Sequence, residues 1–517
     1  MNNKKSYRKV GNSIARIAAV GILVLLQVAW IGFLLFQLGS YSQEIQLVTS
    51  LFTLLLVLIV YGSYTNSANK IPWIIFIAFV PVFGILLYAT MGYPDVTKKA
   101  RLRYEDIDAR VFPLLKQDMA VMDSLKKENR LVGSHCTYVS KEMRFPVYKN
   151  TDLKYFDDPV PAIASMVEDL KSAKDFIFME YYAIQDDKTF EPIKEVLVDK
   201  AQSGVRVRLI YDDIGSASFI NEKFADEMKS LGVDCRIFNH IGPIFKIIMN
   251  NRDHRKITVI DNKVGYTGGY NLANIYTHIS EPYGRWKDTG VRIEGKSVSS
   301  LTAMFLEVWN AVSDKDKDDK DLTQFFPEYK EEKDGDGYIQ PYADVPYDTE
   351  QVGETVYMSM LQTAVDYCWF STPYLVISDE LSRECEMAAK RGVDVRVITP
   401  GIPDKKLVNM MTKSYYNTLA RNGVRIFEFT PGFCHAKMSI CDGKAATVGT
   451  FNLDFRSLYL HFEDGVYMYG CSAVGDIEND FKALLEDCTE VTEKYASKNR
   501  LPLRLWQCAM RLMAPLV

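Results

Sequence analysis

Charge is what the first part of this chain lacks. Between residues 17 and 93 the only charged residues are Glu44 and Lys70. A water-facing surface of that length would carry many more, so an ordinary soluble segment is excluded there. The chain as a whole has no basic excess: 61 Lys+Arg stand against 66 Asp+Glu, a formal charge of −5. That balance argues against a dedicated nucleic-acid binder, and no nucleic-acid partner is expected. The nine cysteines are odd in number and no two have C-x-x-C spacing. A disulfide framework and a zinc site are therefore excluded, and most of these thiols read as small buried hydrophobes. No Gly-rich nucleotide-binding loop is present. What remains is a 517-residue chain, 48% hydrophobic, long enough for more than one folded domain.

The low-charge block divides into three apolar runs, Ile17–Leu38, Ile45–Tyr64 and Ile71–Met91. Each is close to the roughly 20 residues that carry a helix across a hydrocarbon core. The first is too long for the apolar region of a cleaved signal peptide. Residues 1–93 are thus expected to be a membrane segment, and the protein a multi-pass protein of the cell membrane. The flanking charges conflict over its orientation. Lys4, Lys5, Arg8, Lys9 and Arg16 precede the first run, while Lys98, Lys99, Arg101 and Arg103 follow the third. Both clusters mark a cytoplasmic side, and three spans cannot satisfy both. The third run, with Pro72, Pro81 and Gly84, is either a kinked span or a re-entrant hairpin against the second, and one of the three runs need not span. The side of the globular part is left open.

After a helical connection over 94–139, one pattern is written twice. A helix-like stretch Ala162–Ser172 and the strand Asp175–Tyr182 are matched by Glu350–Ala364 and Tyr367–Tyr374. Ser203–Ile210 is matched by Arg391–Ile398, and Gly232–Phe238 by Gly423–Phe427. Glycine followed by β-branched alternation reads as a helix stop and then a strand. The alternation predicts an α/β fold built on mainly parallel sheets. The expected halves are 140–312 and 338–495. Between them, 313–337 reads as a solvated acidic linker. Asp314, Asp316, Asp318 and Asp321 invite a calcium reading, but the glycine of an EF-hand loop is missing and lysines interleave.

The chemistry lies in His254-Arg-Lys256-Ile-Thr-Val-Ile-Asp261, which recurs 181 residues later as His435-Ala-Lys437-Met-Ser-Ile-Cys-Asp442. Each copy is followed by a small-residue turn and an asparagine, Asn271 and Asn452. The chain has only six histidines, and two fall at matched places in the repeat. In a strand, residues i and i+2 share a face, so His254 projects with Lys256 and His435 with Lys437. Histidine can be nucleophile or acid–base near neutral pH, and lysine offers a fixed charge for a phosphate. If the halves meet about a pseudo-two-fold axis, one pocket receives two His, two Lys and two Asn. That suits exchange at a phosphodiester: one His attacks and the other protonates the leaving oxygen. The lysines can neutralise the phosphate, so neither metal nor cofactor is expected. Asp261 and Asp442 stand an odd number of residues from their histidines and should support the site without touching substrate. Asp288 and Glu463 are candidates to hold an imidazole Nδ1–H.

These motifs resemble the phospholipase D superfamily over essentially all of 140–517. Ile74–Gly92, Gly284-Arg-Trp-Lys-Asp-Thr-Gly-Val291, Ser371-Thr-Pro-Tyr374 and Asn452-Leu-Asp-Phe-Arg-Ser457 are more narrowly similar to bacterial cardiolipin synthases. That family has two N-terminal membrane runs, and Ile17–Leu38 is additional. The resemblance implies two tandem α/β sandwich halves with pseudo-two-fold symmetry, preceded by transmembrane helices. It implies phosphatidyl transfer between two phosphatidylglycerol molecules through a phosphatidyl-histidine, giving cardiolipin and glycerol. It also implies His254 as nucleophile, His435 as acid then base, and Asp261 and Asp442 as members of the catalytic signature. The alternative is a phospholipase D hydrolase or a phosphatidylserine synthase working at the same site. Anionic membrane lipid is the expected partner.

Weaker signals are Glu180 in an apolar strand and Asp212 and Asp213 at a strand end. His135, His240, His278 and His461 have no matched partners and receive no role. Residues 496–517 read as an amphipathic helix. Arg500, Arg504, Gln507 and Arg511 form one stripe, with Leu505, Trp506, Ala509, Leu512 and Met513 opposite. Such a helix either lies in a membrane interface or packs on the second half.

Overall fold

The computed structural model describes residues 25, 29, 32, 43–63, 67–81, 84, 85, 88, 98–221, 223–240, 251–313, 315–329, 333–348, 350–497 and 501–513. The glycines read as helix stops act as such. Gly204 and Gly392 have φ of 92° and 98°, and Gly232 and Gly423 have φ of 95° and 99°. Each stands two residues after a helix: Glu191–Gln202, Asp379–Lys390, Phe224–Ser230 and Lys406–Arg421. In each case the next N–H closes back on the last helical turn, as Val205 does on the Lys200 carbonyl at 3.0 Å. Glycine takes this left-handed conformation without a Cβ clash, and the chain leaves directly into a strand.

The first half supplies β1 Asp152–Phe156, β2 Phe176–Tyr181, β3 Arg206–Asp212, β4 Asp234–Phe238, β5 Lys256–Ile260, β6 Val264–Gly268, β7 Arg285–Lys287 and β8 Gly290–Glu294. The second supplies β9 Tyr338–Asp344, β10 Tyr367–Ser371, β11 Leu375–Val376, β12 Asp394–Pro400, β13 Arg425–Phe429, β14 Gly432–Cys434, β15 Met438–Cys441, β16 Ala445–Gly449, β17 Leu453–Asp454, β18 Glu463–Tyr469 and β19 Cys488–Glu490. One sheet runs β4-β3-β2-β5-β6-β8-β1. The other repeats it as β13-β12-β10-β15-β16-β18-β9, with β19 added outside β13. Helices cover both, giving two α/β halves of one design.

The sheets are not mainly parallel. Only β2, β3 and β4, and likewise β10, β12 and β13, run parallel; the pairings from β5 and β15 onward are antiparallel. The cause is local. Asp261 and Asn262 in one half, and Asp442 and Gly443 in the other, have φ between 51° and 62°. Consecutive left-handed residues turn a strand tightly back on itself, which leaves no room for a crossover helix.

The two sheets pack on one another. Val291 and Tyr155 of the first half share a core cluster with Ile440, Val448 and Val466 of the second. The halves are also joined strand to strand. β7 pairs in parallel with β14, and Asp253 bridges to Phe462. Each junction lies immediately before one of the motif histidines.

The connection over 94–139 holds the helices Lys98–Val111, Met119–Glu128 and Arg130–Glu142, and it contributes Ile107, Leu125, Val132 and Val139 to the largest core cluster. The acidic linker is not simply solvated. Asp318 pairs with Arg103 and Arg110, and Asp319 forms a two-pronged pair with Arg208 at 2.9 and 2.6 Å. These carboxylates fasten the linker to the connection and to β3. All nine cysteines are free, seven of them buried, with Cys508 exposed.

Among the described residues, no helix is long and apolar enough to cross a membrane. The run 17–38 lies almost wholly outside the described residues. The run 45–64 is helical within Gln43–Gly62. The run 71–91 does not form one span: its helix, Ser67–Phe79, has 13 residues, and Pro72 and Pro81 interrupt the run. Transmembrane helices are therefore not supported among the described residues, and the third run answers to the re-entrant alternative, folded against the second. The two described helices form a hairpin around Val60, Ile77 and Tyr88, with Leu51, Phe52, Leu55 and Leu58 exposed on its outside. The C-terminal helix Leu501–Met513 touches this hairpin and the helix Lys406–Arg421. Its polar edge is turned inward: Arg511 donates to Thr418 Oγ1 at 2.9 Å and to the Ser414 carbonyl. Leu505 and Trp506 face out.

Candidate active site

The inter-half junctions deliver the motif residues. The His254 N–H donates to the Phe462 carbonyl at 2.9 Å, and the His435 N–H to the Lys287 carbonyl at 2.7 Å. Each histidine is thus clamped beside the residue preceding a carboxylate of the opposite half. Glu463 of the second half holds His254 Nδ1, with both carboxylate oxygens at 2.9 Å. Asp288 of the first half holds His435 Nδ1 through Oδ2 at 2.6 Å. A carboxylate on Nδ1–H fixes the tautomer with a lone pair on Nε2 and supports the imidazolium when it forms. Ser457 Oγ donates to Glu463 Oε1 at 2.6 Å, and the Thr289 N–H to Asp288 Oδ1 at 2.9 Å, so neither carboxylate can swing away freely. Gly269 belongs to this arrangement: a Cβ there would lie 2.0 Å from Asp288 Oδ1.

His254 and His435 stand just ahead of β5 and β15, each followed two residues later by its lysine. Lys256 Nζ folds back on the His254 carbonyl, and Lys437 Nζ on the His435 carbonyl. Lys437 Nζ also lies 2.7 and 3.0 Å from the two ring nitrogens of His435. Between His254 and Lys256, Arg255 points the other way into the core, where it pairs with Glu307 at 3.2 Å. Burial, followed by the charges of Lys256 and Lys437, holds both imidazoles well below the usual histidine range. Burial also lowers Lys256 to about 7 and Lys437 to about 8. Both shifts favour neutral imidazoles and weaken the hold of the two ammoniums on their protons. A phosphodiester anion bound beside them would favour the charged form of both lysines.

His254, His435, Asn271 and Asn452 line one cavity of about 590 Å³. Asn271 is held there by the Ala183 N–H and by Tyr276, to which it donates at 2.6 Å. Asn452 is buried, and its Oδ1 has no partner. Asp261 and Asp442 are not brought to the site. They close the far ends of β5 and β15, about 17 Å from the lysines at the usual rise per residue. Asp261 accepts from the N–H groups of Lys174, Asp175 and Phe176 at 2.8–2.9 Å, and Asp442 from those of Val365, Asp366 and Tyr367 at 2.8–2.9 Å. The structure gives them a backbone-pinning role at the start of β2 and β10 in place of the catalytic place that the resemblance implied.

The sequence of each half matches the family described as cardiolipin synthase, phospholipase D-like domain, over residues 166–309 and 357–485. The chain belongs to this family. Residues 50–92 match the phospholipase D-nuclease N-terminal family. An uncharacterized protein of Streptococcus mutans is 38% identical over 465 residues, covering 89% of this chain and 99% of that one. Cardiolipin synthase 2 of Bacillus cereus is 29% identical over 464 residues, 89% of each chain. Among solved structures, phosphatidylserine synthase of Haemophilus influenzae has the same fold, with a TM-score of 0.55 at 14% identity, covering 71% of this chain and 95% of that one.

This phospholipase D-like site holds residues that the sequence did not single out. Tyr182 stands edge-on to His254 with ring centroids 5.0 Å apart, and Trp286 lies 5.0 Å from His435. His461, which had no matched partner in the repeat, sits 5.9 Å from His254. With Glu463, the two histidines bring ligand atoms within 4.8 Å of one another, so among the described residues they form the group that could hold a metal ion. The ammoniums of Lys256 and Lys437 beside them oppose a dication. Glu180 is fully buried next to Arg255, away from the cavity. Asp212 caps a short helix through the Ile214 and Gly215 N–H groups and also pairs with Arg252 at 3.3 Å.

Proposed function

We propose that this enzyme transfers a phosphatidyl group from one phosphatidylglycerol to another, forming cardiolipin and glycerol. The observation that carries the reading is the pair of imidazoles that line one cavity, each tautomer-fixed by a carboxylate of the other half and each with a buried lysine packed against it. Cardiolipin synthases among the relatives support the choice of lipid.

His254 Nε2 attacks the donor phosphorus, and the bond from phosphorus to the glycerol oxygen breaks. His435, protonated once the bound phosphate anion offsets the lysine charges, gives its proton to that oxygen, and glycerol leaves. The phosphatidyl group now rests on His254. His435, neutral again, takes the proton from the primary hydroxyl of a second phosphatidylglycerol. That oxygen attacks phosphorus, the P–N bond breaks, and His254 is regenerated. Lys256 and Lys437 stabilise the charge on the non-bridging oxygens, which is greatest in the transition state. Asn271 and Asn452 add neutral donors. One phosphodiester replaces another, so no nucleotide is consumed.

The apolar outer face of the N-terminal hairpin and the outward Leu505 and Trp506 support attachment of the enzyme to a bilayer, where both substrates lie. Residues 1–93 form the proposed anchor, and 140–312 and 338–495 the two catalytic halves.

The test is a product assay with labelled phosphatidylglycerol. Cardiolipin and glycerol are expected. Phosphatidic acid alone would make the enzyme a hydrolase, and phosphatidylserine formed only with added serine would make it a serine transferase. His435→Ala should leave a slow, acid-labile adduct on His254; an adduct on His435 in the wild-type enzyme would reverse the two roles.

A further inference from the structure

The proposed transfer brings two anionic lipids into one cavity, and the residues assigned so far hold only the phosphate under attack. The acceptor's own phosphate is separated from its attacking hydroxyl by the three carbons of glycerol. It must therefore lie inside the same cavity, off the reacting phosphorus. Arg252 on the cavity wall is already committed to Asp212 and to the carbonyls of Asn251 and Asn239.

A second stretch of the lining gathers around Asp454, whose carboxyl feels the charges of both Arg456 and Lys405. Asp404, Lys405 and Arg456 line the cavity on this wall. Lys405 is exposed, and its charge acts on the imidazoles of both His254 and His435, so it stands near the two reacting groups at once. Its Nζ lies 5.5 Å from the ring of Tyr374, and Tyr374 O–H donates to Asp404 Oδ2 at 2.5 Å. The second oxygen of Asp404, Oδ1, is buried and has no partner. Asp454, the other carboxylate on this wall, is used as a helix cap and accepts from the Ser457 N–H at 2.8 Å. Lys405 also precedes the 16-residue helix Lys406–Arg421, whose N-terminus has no side-chain cap. The wall therefore presents cations for a phosphate beside an unsatisfied acceptor for a hydroxyl.

We propose that Asp404, Lys405 and Arg456 form the acceptor subsite, in which Lys405 and Arg456 hold the acceptor lipid's phosphate and Asp404 accepts from its secondary glycerol hydroxyl. This rests on the reading of the enzyme as a transferase between two phosphatidylglycerols. It makes this wall, and not the histidines, the place where an anionic polyol headgroup is chosen over water or a small alcohol.

The experiment measures how one intermediate partitions. Full-length enzyme in phosphatidylglycerol vesicles is given ethanol as a competing neutral acceptor, and the ratio of cardiolipin to phosphatidylethanol is read. Wild-type enzyme that makes no cardiolipin overturns the functional reading itself, and the subsite with it. If the wild type makes cardiolipin, Lys405→Gln should lower the ratio at least tenfold while phosphatidylethanol still forms. Arg456→Gln should move it the same way, and Lys405→Arg should bring it back to within about threefold of wild type. A general loss of folding or donor binding lowers both products together and leaves the ratio unchanged. An unchanged or raised ratio in Lys405→Gln overturns the subsite.

Discussion

Asp288 lies in the first half of the chain and holds a histidine of the second, with Oδ2 2.6 Å from His435 Nδ1. Glu463 returns the relationship by holding His254. Neither half supplies the carboxylate for its own motif histidine. In the proposed transfer His254 carries the adduct and His435 carries the proton in both steps, so the two pairs should fail differently. Glu463→Gln should slow formation of the histidine adduct, and Asp288→Asn should slow its formation and its resolution through the proton carrier. By analogy with loss of the triad aspartate in a serine protease, kcat should fall up to about 10⁴-fold with little change in KM. Rapid-quench measurement of the adduct separates the two. Equal kcat in both variants and the wild type would mean that the carboxylates only fill space.

The lysines should matter most in the transition state. Removing one oxyanion donor typically costs about 2.7–4 kcal/mol, so Lys256→Ala or Lys437→Ala should each lose about 10²–10³-fold in kcat. The check is steady-state cardiolipin formation with the fold monitored by circular dichroism. Near-full activity in either variant would show that the phosphate sits elsewhere.

A pH dependence follows from the same burial. Lys256 is lowered to about 7 and Lys437 to about 8, and each carries its charge only below its value. The free enzyme should therefore lose kcat/KM as pH rises through 7–8. Bound phosphodiester raises the lysines again, so kcat should hold to higher pH. The nucleophile must be neutral, and His254 titrates below the ordinary histidine range, so no acid limb should appear near 6.5. Profiles of kcat/KM and kcat measured side by side test both limbs. An alkaline limb at the same pH in the two profiles would contradict the lysine assignment.

Trp506 is half exposed on a helix whose polar edge faces the protein. Trp506→Glu should weaken binding to anionic vesicles and lower the rate on vesicles, while activity on detergent-dispersed lipid stays near wild type. Vesicle flotation beside the two assays checks this. Unfolding of the variant, or unchanged flotation, would remove this helix from the membrane contact.

The sequence carried the repeat, the helix stops and the pairing of His254 with Lys256, because each follows from local periodicity. The antiparallel second part of each sheet was less legible. Its cause is a left-handed pair such as Asp261 and Asn262, two polar residues that only look like loop. The exchange of Asp288 and Glu463 between halves could not be read at all, since it depends on how the halves dock and not on spacing along either. Asp261 shows the opposite case. Its parity relative to His254 indicated that it faces away, and the structure places it on three backbone N–H groups at the far end of the strand. Lys405 and His461 gave no signal, because neither has a counterpart in the repeat and both reach the cavity through tertiary packing.

The distribution of free thiols has a practical consequence. Seven of the nine are buried and Cys488 is partly covered, while Cys508 is exposed two residues beyond Trp506. A maleimide-linked fluorophore or spin label applied to the unaltered protein would therefore attach first at Cys508. Its quenching or relaxation would report directly how deep that helix lies in a bilayer, with no cysteine removed and none introduced.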